Sequence, residues 1–253
     1  MKKETRKVTM MGIPVNSLTT DETVELIKDR IKSGKKTVHA SLNALKLIEF
    51  FKSGQLGDFF KKSDVISADG QLIVMLSAFT EKKLPERVPG CDVMQKLVKT
   101  AAKEELKIFF LGSEDEVLST MVKKYTDKYG SQIIAGCRNG FFEGREAEIV
   151  KDIKSSGANI LFVALGSPKQ EKFIERNSEE LFKSVDFIMG VGGSFDIVAG
   201  KTRRAPLFFR KKGLEWLYRV LSEPQRIWTK KVYRLPLLFY YFIRYKIRQY
   251  RSK

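Results

Sequence analysis

Residues 190–206 read Gly-Val-Gly-Gly-Ser-Phe-Asp-Ile-Val-Ala-Gly-Lys-Thr-Arg-Arg-Ala-Pro, directly after the apolar run Val185-Asp186-Phe187-Ile188-Met189. The run has the length and character of a buried strand. The glycines behind it let the chain turn sharply and bring bare backbone N–H groups towards a ligand. Asp196 adds a fixed carboxylate, and Lys201, Arg203 and Arg204 a cationic cluster just beyond the turn. Strand, glycine turn and basic cluster together suit a phosphorylated ligand. A plain strand-to-helix turn with a solvated basic loop has the same local pattern.

The same grammar recurs upstream. Apolar, β-rich runs predict strands at residues 37–40, 65–68, 107–111, 132–135, 159–165 and 185–190, with helix-period segments between them. A short hairpin is expected around Gly12, and Thr19-Thr20-Asp21-Glu22 is a capping box opening a helix. Gly112, Gly166 and Gly192 all fall at carboxyl ends of strands, Ser113 follows the first of them, and Pro168 suits the first turn of a helix. Strands alternating with helices give an α/β fold, a Rossmann-like parallel sheet flanked by helices. Ligands of such sheets bind outside the carboxyl ends of the strands.

Charge divides the chain in two. Of the net +17, +14 lies between Lys201 and Lys253, where 16 Lys and Arg face only Glu215 and Glu223. The expected organisation is a core over residues 1–206 and a basic, aromatic-rich helical appendage over 207–253. The longest apolar run of the appendage, residues 235–243, is far shorter than the roughly 20 residues needed to span a bilayer. Aromatic and basic residues together suit a helix lying on an anionic membrane surface. Packing on the body or on a second subunit is the alternative, so a homo-oligomer stays open. Nucleic acid is not the expected partner, because no helix-turn-helix, RRM or zinc-finger pattern accompanies the charge. Cys91 and Cys137 lie far apart, and no apolar segment follows Met1-Lys2-Lys3, so a reducing, cytoplasmic setting is expected.

Composition narrows the chemistry further. A single histidine, His39, argues against a Ser/His/Asp system. The dinucleotide fingerprint and the Walker A loop are missing, and so is an Asp-x-Asp pair that would hold a divalent metal against a diphosphate. No metal and no cofactor are therefore expected, and cations or backbone N–H groups must stabilise any leaving diphosphate. Asp69 ends an apolar strand before Gly70, where it can act as a general base or merely cap the next helix. Ser41 and Asn43, at the end of the neighbouring strand, can bind a sugar or cap a helix. Arg87, in a Pro-rich loop, can clamp a phosphate.

Several long segments, in order, carry a resemblance. They are Ser41-Leu42-Asn43, Ala68-Asp69-Gly70, residues 87–92 (Arg-Val-Pro-Gly-Cys-Asp), Phe110-Leu111-Gly112 and residues 163–171 (Val-Ala-Leu-Gly-Ser-Pro-Lys-Gln-Glu). The 190–206 stretch follows, then residues 213–219 (Gly-Leu-Glu-Trp-Leu-Tyr-Arg) and Glu223-Pro224-Gln225-Arg226. From about residue 12 to 226 the chain resembles the WecG/TagA/CpsF glycosyltransferases, glycosyltransferase family 26. The resemblance implies an inverting, metal-independent transfer from a UDP-sugar to an undecaprenyl-diphosphate-linked sugar at the inner face of the cell membrane. In the teichoic-acid branch the donor is UDP-N-acetylmannosamine and the acceptor lipid carries N-acetylglucosamine. Another UDP-sugar, used for a capsular or exopolysaccharide repeat, is the alternative. By the resemblance Asp69 corresponds to the base, and Arg87 and Gln170 to active-site residues. Ser41 stands where the teichoic-acid enzymes have a threonine; it keeps the hydroxyl and loses a methyl. Substrate contacts are expected from Asn43, Gly112, Ser113, Gly166, Pro168, Glu171, Gly192, Gly193, Ser194, Phe195, Asp196 and Arg204. Arg219 and Arg226, in the membrane-targeting appendage, are expected to reach the active site.

Overall fold

The chain begins with a hairpin of β1 (Lys7–Met10) and β2 (Ile13–Asn16), paired antiparallel. Met11 (φ 50°) and Gly12 (φ 93°) form its two-residue turn, and positive φ at both positions matches the right-handed twist of the strands. The computed structural model describes residues 6–80, 82–206, 208, 209, 215, 218 and 234–251. The predicted capping box opens α1 (Thr20–Lys32): the Thr19 hydroxyl accepts the Glu22 N–H, and the Glu22 carboxylate accepts the Thr19 N–H.

The remaining elements alternate. They are β3 (Thr37–Leu42), α2 (Ala44–Ser53), α3 (Gly57–Lys62), β4 (Val65–Ala68), α4 (Gln71–Ser77), α5 (Gly90–Lys103), β5 (Ile108–Gly112) and α6 (Asp115–Tyr129). Then come β6 (Ile134–Arg138), α7 (Glu146–Ser155), β7 (Ile160–Ala164), α8 (Lys169–Leu181), β8 (Phe187–Gly190), α9 (Ser194–Ala199) and α10 (Leu235–Arg251). β3 to β8 form one parallel sheet in the order β4-β3-β8-β7-β5-β6. Its inner strands are buried along their whole length, as a sheet covered on both faces requires. Leu161, Val163 and Ile188 face a core shared with α2, α3, α4, α7 and α8. Phe110, Phe162 and Phe187 face the opposite core, with α1, α5, α6 and α9. The hairpin protects the sheet edge, where the Asn16 side-chain oxygen accepts the Ile66 N–H of β4 at 2.9 Å.

Three sequence expectations shift. α3 carries no side-chain cap and was not foreseen. The strand expected at 132–135 lies at Ile134–Arg138, after a 3₁₀ turn at Ser131–Ile133. β6 is the sheet's outer strand and is partly exposed, so only its first residues carry the apolar signal. The turn-rich loop read over residues 84–92 gives way to α5 already at Gly90.

The helix expected over residues 207–221 falls largely outside the described residues, as do Pro224, Arg219 and Arg226. α10 packs one face on the body. Leu238 is fully buried, Tyr241 stacks on Phe51 of α2 with ring centroids 5.3 Å apart, and Phe242 meets Phe79 at 6.0 Å.

Candidate active site

The sheet places its functional groups at one edge. Chain connections leave β5 towards β6 and leave β7 towards β8, in opposite directions, so a crevice opens between the carboxyl ends of β5 and β7. Gly112 forms its wall at φ 121°, where a Cβ would lie 2.5 Å from the Ala164 carbonyl. Only glycine fits there. Ser113 follows in the left-handed region (φ 63°), rare for a residue with a side chain, and donates its N–H to Ala164 O at 3.1 Å. Gly166 lies across the crevice at φ 74°, accepts the Gln170 N–H, and precedes Pro168 at the N-cap of α8.

Asp69 stands at the carboxyl end of β4, its N–H bonded to Leu42 O of β3. The loop carrying Arg87 is fastened beside it, because Val88 donates to Ala68 O at 2.8 Å. α5 then starts at Gly90, whose backbone lies against the Asp69 carboxylate: a Cβ there would sit 3.6 Å from Asp69 Oδ2. Asp69 thus lies at the positive end of a 14-residue helix. Burial raises its pKa above the ordinary carboxylate value; Arg87, the Gly90 N–H and Lys46 pull it down, and Glu215 pushes it up. The net shift is upward, so the group is more basic than a surface aspartate.

Among the described residues, Glu215 is the one appendage side chain in the site. It is 5% exposed and takes the Arg87 guanidinium at 2.6 Å. Arg87 therefore holds a carboxylate where a phosphate was anticipated. Glu215 belongs to a motif quoted above, but nothing in its local sequence announced this contact.

β3 and β8 complete the floor. Gln170 reaches from α8 to the end of β8, where its Oε1 accepts the Gly192 N–H at 3.0 Å and its Nε2 donates to Glu171 Oε1 at 2.9 Å. Gly190 has no side chain because a Cβ would sit 2.8 Å from Gln170 Nε2. Glu171, 1% exposed, also takes the ammonium of Lys46 at 2.9 Å, and the same ammonium donates to Ser41 Oγ at 3.2 Å. Lys46 escaped the sequence reading, since one lysine in a helix reads as a solvated residue.

The remaining predicted residues have local tasks. Asn43 caps α2 by accepting the Lys46 N–H at 3.1 Å. Gly193 is the N-cap of α9, Ser194 donates its hydroxyl to Val191 O, and Asp196 O accepts the Thr202 N–H. Phe195 is fully buried, edge-on against Phe110, and shapes the core beneath the loop. Two N–H groups of the glycine turn are used internally, Gly192 by Gln170 and Ser194 by Val191 O, so fewer point at a ligand than its glycines suggest. The basic cluster is likewise tied down. Arg204 grips Asp92 through two 2.6 Å bonds, and Lys201 pairs with Glu114. Arg203 is exposed. His39 is buried, bonded to Ser67 and held neutral by desolvation, with its pKa lowered to about 3.

Along one edge of the sheet the arrangement sets a strand-end carboxylate flanked by an arginine at β4, a polar floor at β3 and β8, and a glycine-walled crevice farther along at β7 and β5. Chemically, such a carboxylate can accept a proton, and an arginine released from its carboxylate partner can face an anion. A family model, the "Glycosyl transferase WecG/TagA/CpsF family", matches residues 8–252. The chain is also 35% identical over 219 residues to the N-acetylglucosaminyldiphosphoundecaprenol N-acetyl-beta-D-mannosaminyltransferase of Bacillus subtilis strain 168, covering 86% of this chain and 84% of that protein. With its strand-end carboxylate, crevice and matched length, this chain belongs to the WecG/TagA/CpsF glycosyltransferase family.

Proposed function

We propose that the protein transfers N-acetylmannosamine from its UDP derivative to N-acetylglucosamine on undecaprenyl diphosphate, with inversion and without a metal. The relative named above carries that activity in its name. The observation that carries the mechanism is the placement of Asp69 at the open end of β4, against the N-terminus of α5 and beside Arg87. Asp69 takes the proton of the acceptor hydroxyl as its oxygen attacks C1 of the donor sugar from the face opposite UDP. The bond from C1 to the diphosphate oxygen breaks, and its electron pair leaves with UDP. The crevice between β5 and β7 suits the nucleotide, since backbone there can approach a ligand closely. Arg87 supplies charge to a phosphate once Glu215 yields it.

The test is transfer from UDP-N-acetylmannosamine to a short-prenyl diphosphate-N-acetylglucosamine, run with and without EDTA. A β-linked product at equal rates in both is expected. Loss of turnover on chelation, restored by Mg²⁺ or Mn²⁺, would overturn metal independence. Transfer from a different UDP-sugar alone would overturn the donor.

α10 and its neighbourhood support a peripheral membrane attachment. Its outer face exposes Tyr240, Ile243, Ile247 and Tyr250 beside Arg244, Arg248 and Arg251, and α4 and the turn after it add exposed Met75 and Phe79. Among the described residues, no helix is long and apolar enough to cross a membrane. An apolar face rimmed with cations suits the interface of an anionic leaflet, at the cytoplasmic side where the lipid diphosphate lies. Replacing Ile243 and Ile247 by Glu is expected to weaken sedimentation with phosphatidylglycerol vesicles by about 10-fold or more, from lost burial of two side chains. Turnover on the soluble acceptor stays within about 2-fold, since surface substitutions distant from a site change little. Undiminished vesicle binding would show that α10 is packing material.

A further inference from the structure

We propose that Lys46 is a positioning residue for the transfer: its buried ammonium turns the Ser41 hydroxyl into a hydrogen-bond donor towards substrate and anchors the Glu171–Gln170 pair that holds the Gly192 turn. The inference rests on the transfer reading above and deepens it.

Lys46 lies in the first turn of α2, in the floor of the site. Its side chain is 7% exposed, and that of Glu171 1%. An ammonium has donors and no acceptor, so at 3.2 Å it must donate to a lone pair of Ser41 Oγ. The serine's own proton is then directed elsewhere. Among the described residues no acceptor takes it. Ser41 keeps 6% of its surface open at the carboxyl end of β3, the edge at which ligands of such sheets bind. A hydroxyl whose oxygen is pinned from below and whose proton is unclaimed is oriented as a donor to a substrate oxygen.

The second half of the network follows the same logic. Glu171 Oε1 receives both Lys46 Nζ and Gln170 Nε2, while its Oε2 is buried without a hydrogen-bond partner. Among the described residues Lys46 is the one cation in contact with Glu171. A buried carboxylate without its cation is strongly disfavoured, so Lys46 holds Glu171 in place. Glu171 fixes the amide of Gln170, leaving Gln170 Oε1 to accept the Gly192 N–H. Lys46 thereby ties the ends of β3 and β8 together through α8. Its charge also favours the ionised form of Asp69.

Removing Lys46 alone would strand Glu171, so the test removes both charges together in Lys46→Met/Glu171→Gln. Glutamine can still accept from Gln170. The double variant is expected to melt within a few degrees of the wild type. Its kcat should fall by about 10-fold or more, the scale of one positioned donor lost from the transition state. The acid limb of its kcat–pH profile should move to higher pH, because of the two charges removed Lys46 is the one that acts on Asp69, lowering its pKa; simple loosening of the fold would leave that limb in place. A folded double variant with wild-type kcat and an unmoved limb would overturn the proposal. Lys46→Arg serves if the double variant does not fold. It keeps the charge but moves the donors, so kcat should fall while the acid limb stays; wild-type kcat in that variant would equally overturn the proposal. An error in the assigned donor sugar shows in the wild type alone, and the variants are then compared on whichever UDP-sugar the wild type turns over.

Discussion

Asp69→Asn is expected to lower turnover by about 10²–10⁴-fold, the usual contribution of a positioned general base, while UDP affinity stays within about 2-fold of wild type. Asparagine is nearly isosteric and its amide oxygen can still face the Gly90 backbone, so the loop around α5 need not move. What it lacks is a lone pair able to take the acceptor's proton near neutral pH. The sign of the pH dependence follows from the environment. Burial raises the Asp69 pKa, so wild-type turnover should be lost as pH falls through a value above that of an ordinary aspartate. It should level off once the carboxylate is fully ionised. Steady-state kinetics across pH, paired with calorimetry of UDP binding, provide the check. A variant within 10-fold of wild type would remove Asp69 from the role of base.

The largest effect on stability is expected at Gly112. Alanine there combines a backbone at φ 121° with a Cβ placed 2.5 Å from the carbon and oxygen of the Ala164 carbonyl. The neighbour is backbone in β7, between β5 and β8, and cannot swing aside. Strain and overpacking together should cost about 3 kcal/mol or more. For a chain of this size that lowers the melting temperature by roughly 6–12 °C. Gly166→Ala is the matched control. Gly166 also has positive φ, 74°, but an added Cβ meets nothing within 4 Å. It should cost only about 1 kcal/mol, the left-handed backbone penalty. Equal melting temperatures for the two variants would show that β5 and β7 separate easily and that the crevice wall is soft.

The fold was legible because its signals are local. The inner strands β5, β7 and β8 are short apolar runs ending near a glycine, and the Thr19 capping box stands in four consecutive residues. Positions such as Asp69 and Ser41 could be placed at strand ends for the same reason. What escaped is pairing across long separations. Arg87 meets Glu215 across 128 positions and Arg204 meets Asp92 across 112. Charge counted along the sequence made residues 201–204 look like a free cationic patch; in space, Lys201 and Arg204 are already engaged. Lys46 illustrates the same limit. Between Leu45 and Leu47 it has the pattern of a solvated helix residue, and only the approach of α8 makes it a buried cation. Asn43 resolved in the opposite direction, since the cap it forms is a local interaction that sequence offered as one of two choices.

The sheet order also bears on how the chain is made. β8, the last strand among the described residues, lies in the middle of the sheet, and its bonds to β3 and β7 join the two halves. On the ribosome, β3 with β4 and β7 with β5 and β6 are two open sheets until residue 190 emerges. Each presents a bare apolar edge, the kind that recruits other chains. At translation rates of about 5–20 residues per second, β3 waits roughly 7–30 s for its central neighbour. Nascent chains on one polysome therefore carry matching unpaired edges close together throughout that interval. Slower initiation, which spaces the ribosomes, or a holdase that masks those edges acts on the yield of this protein without touching its final stability.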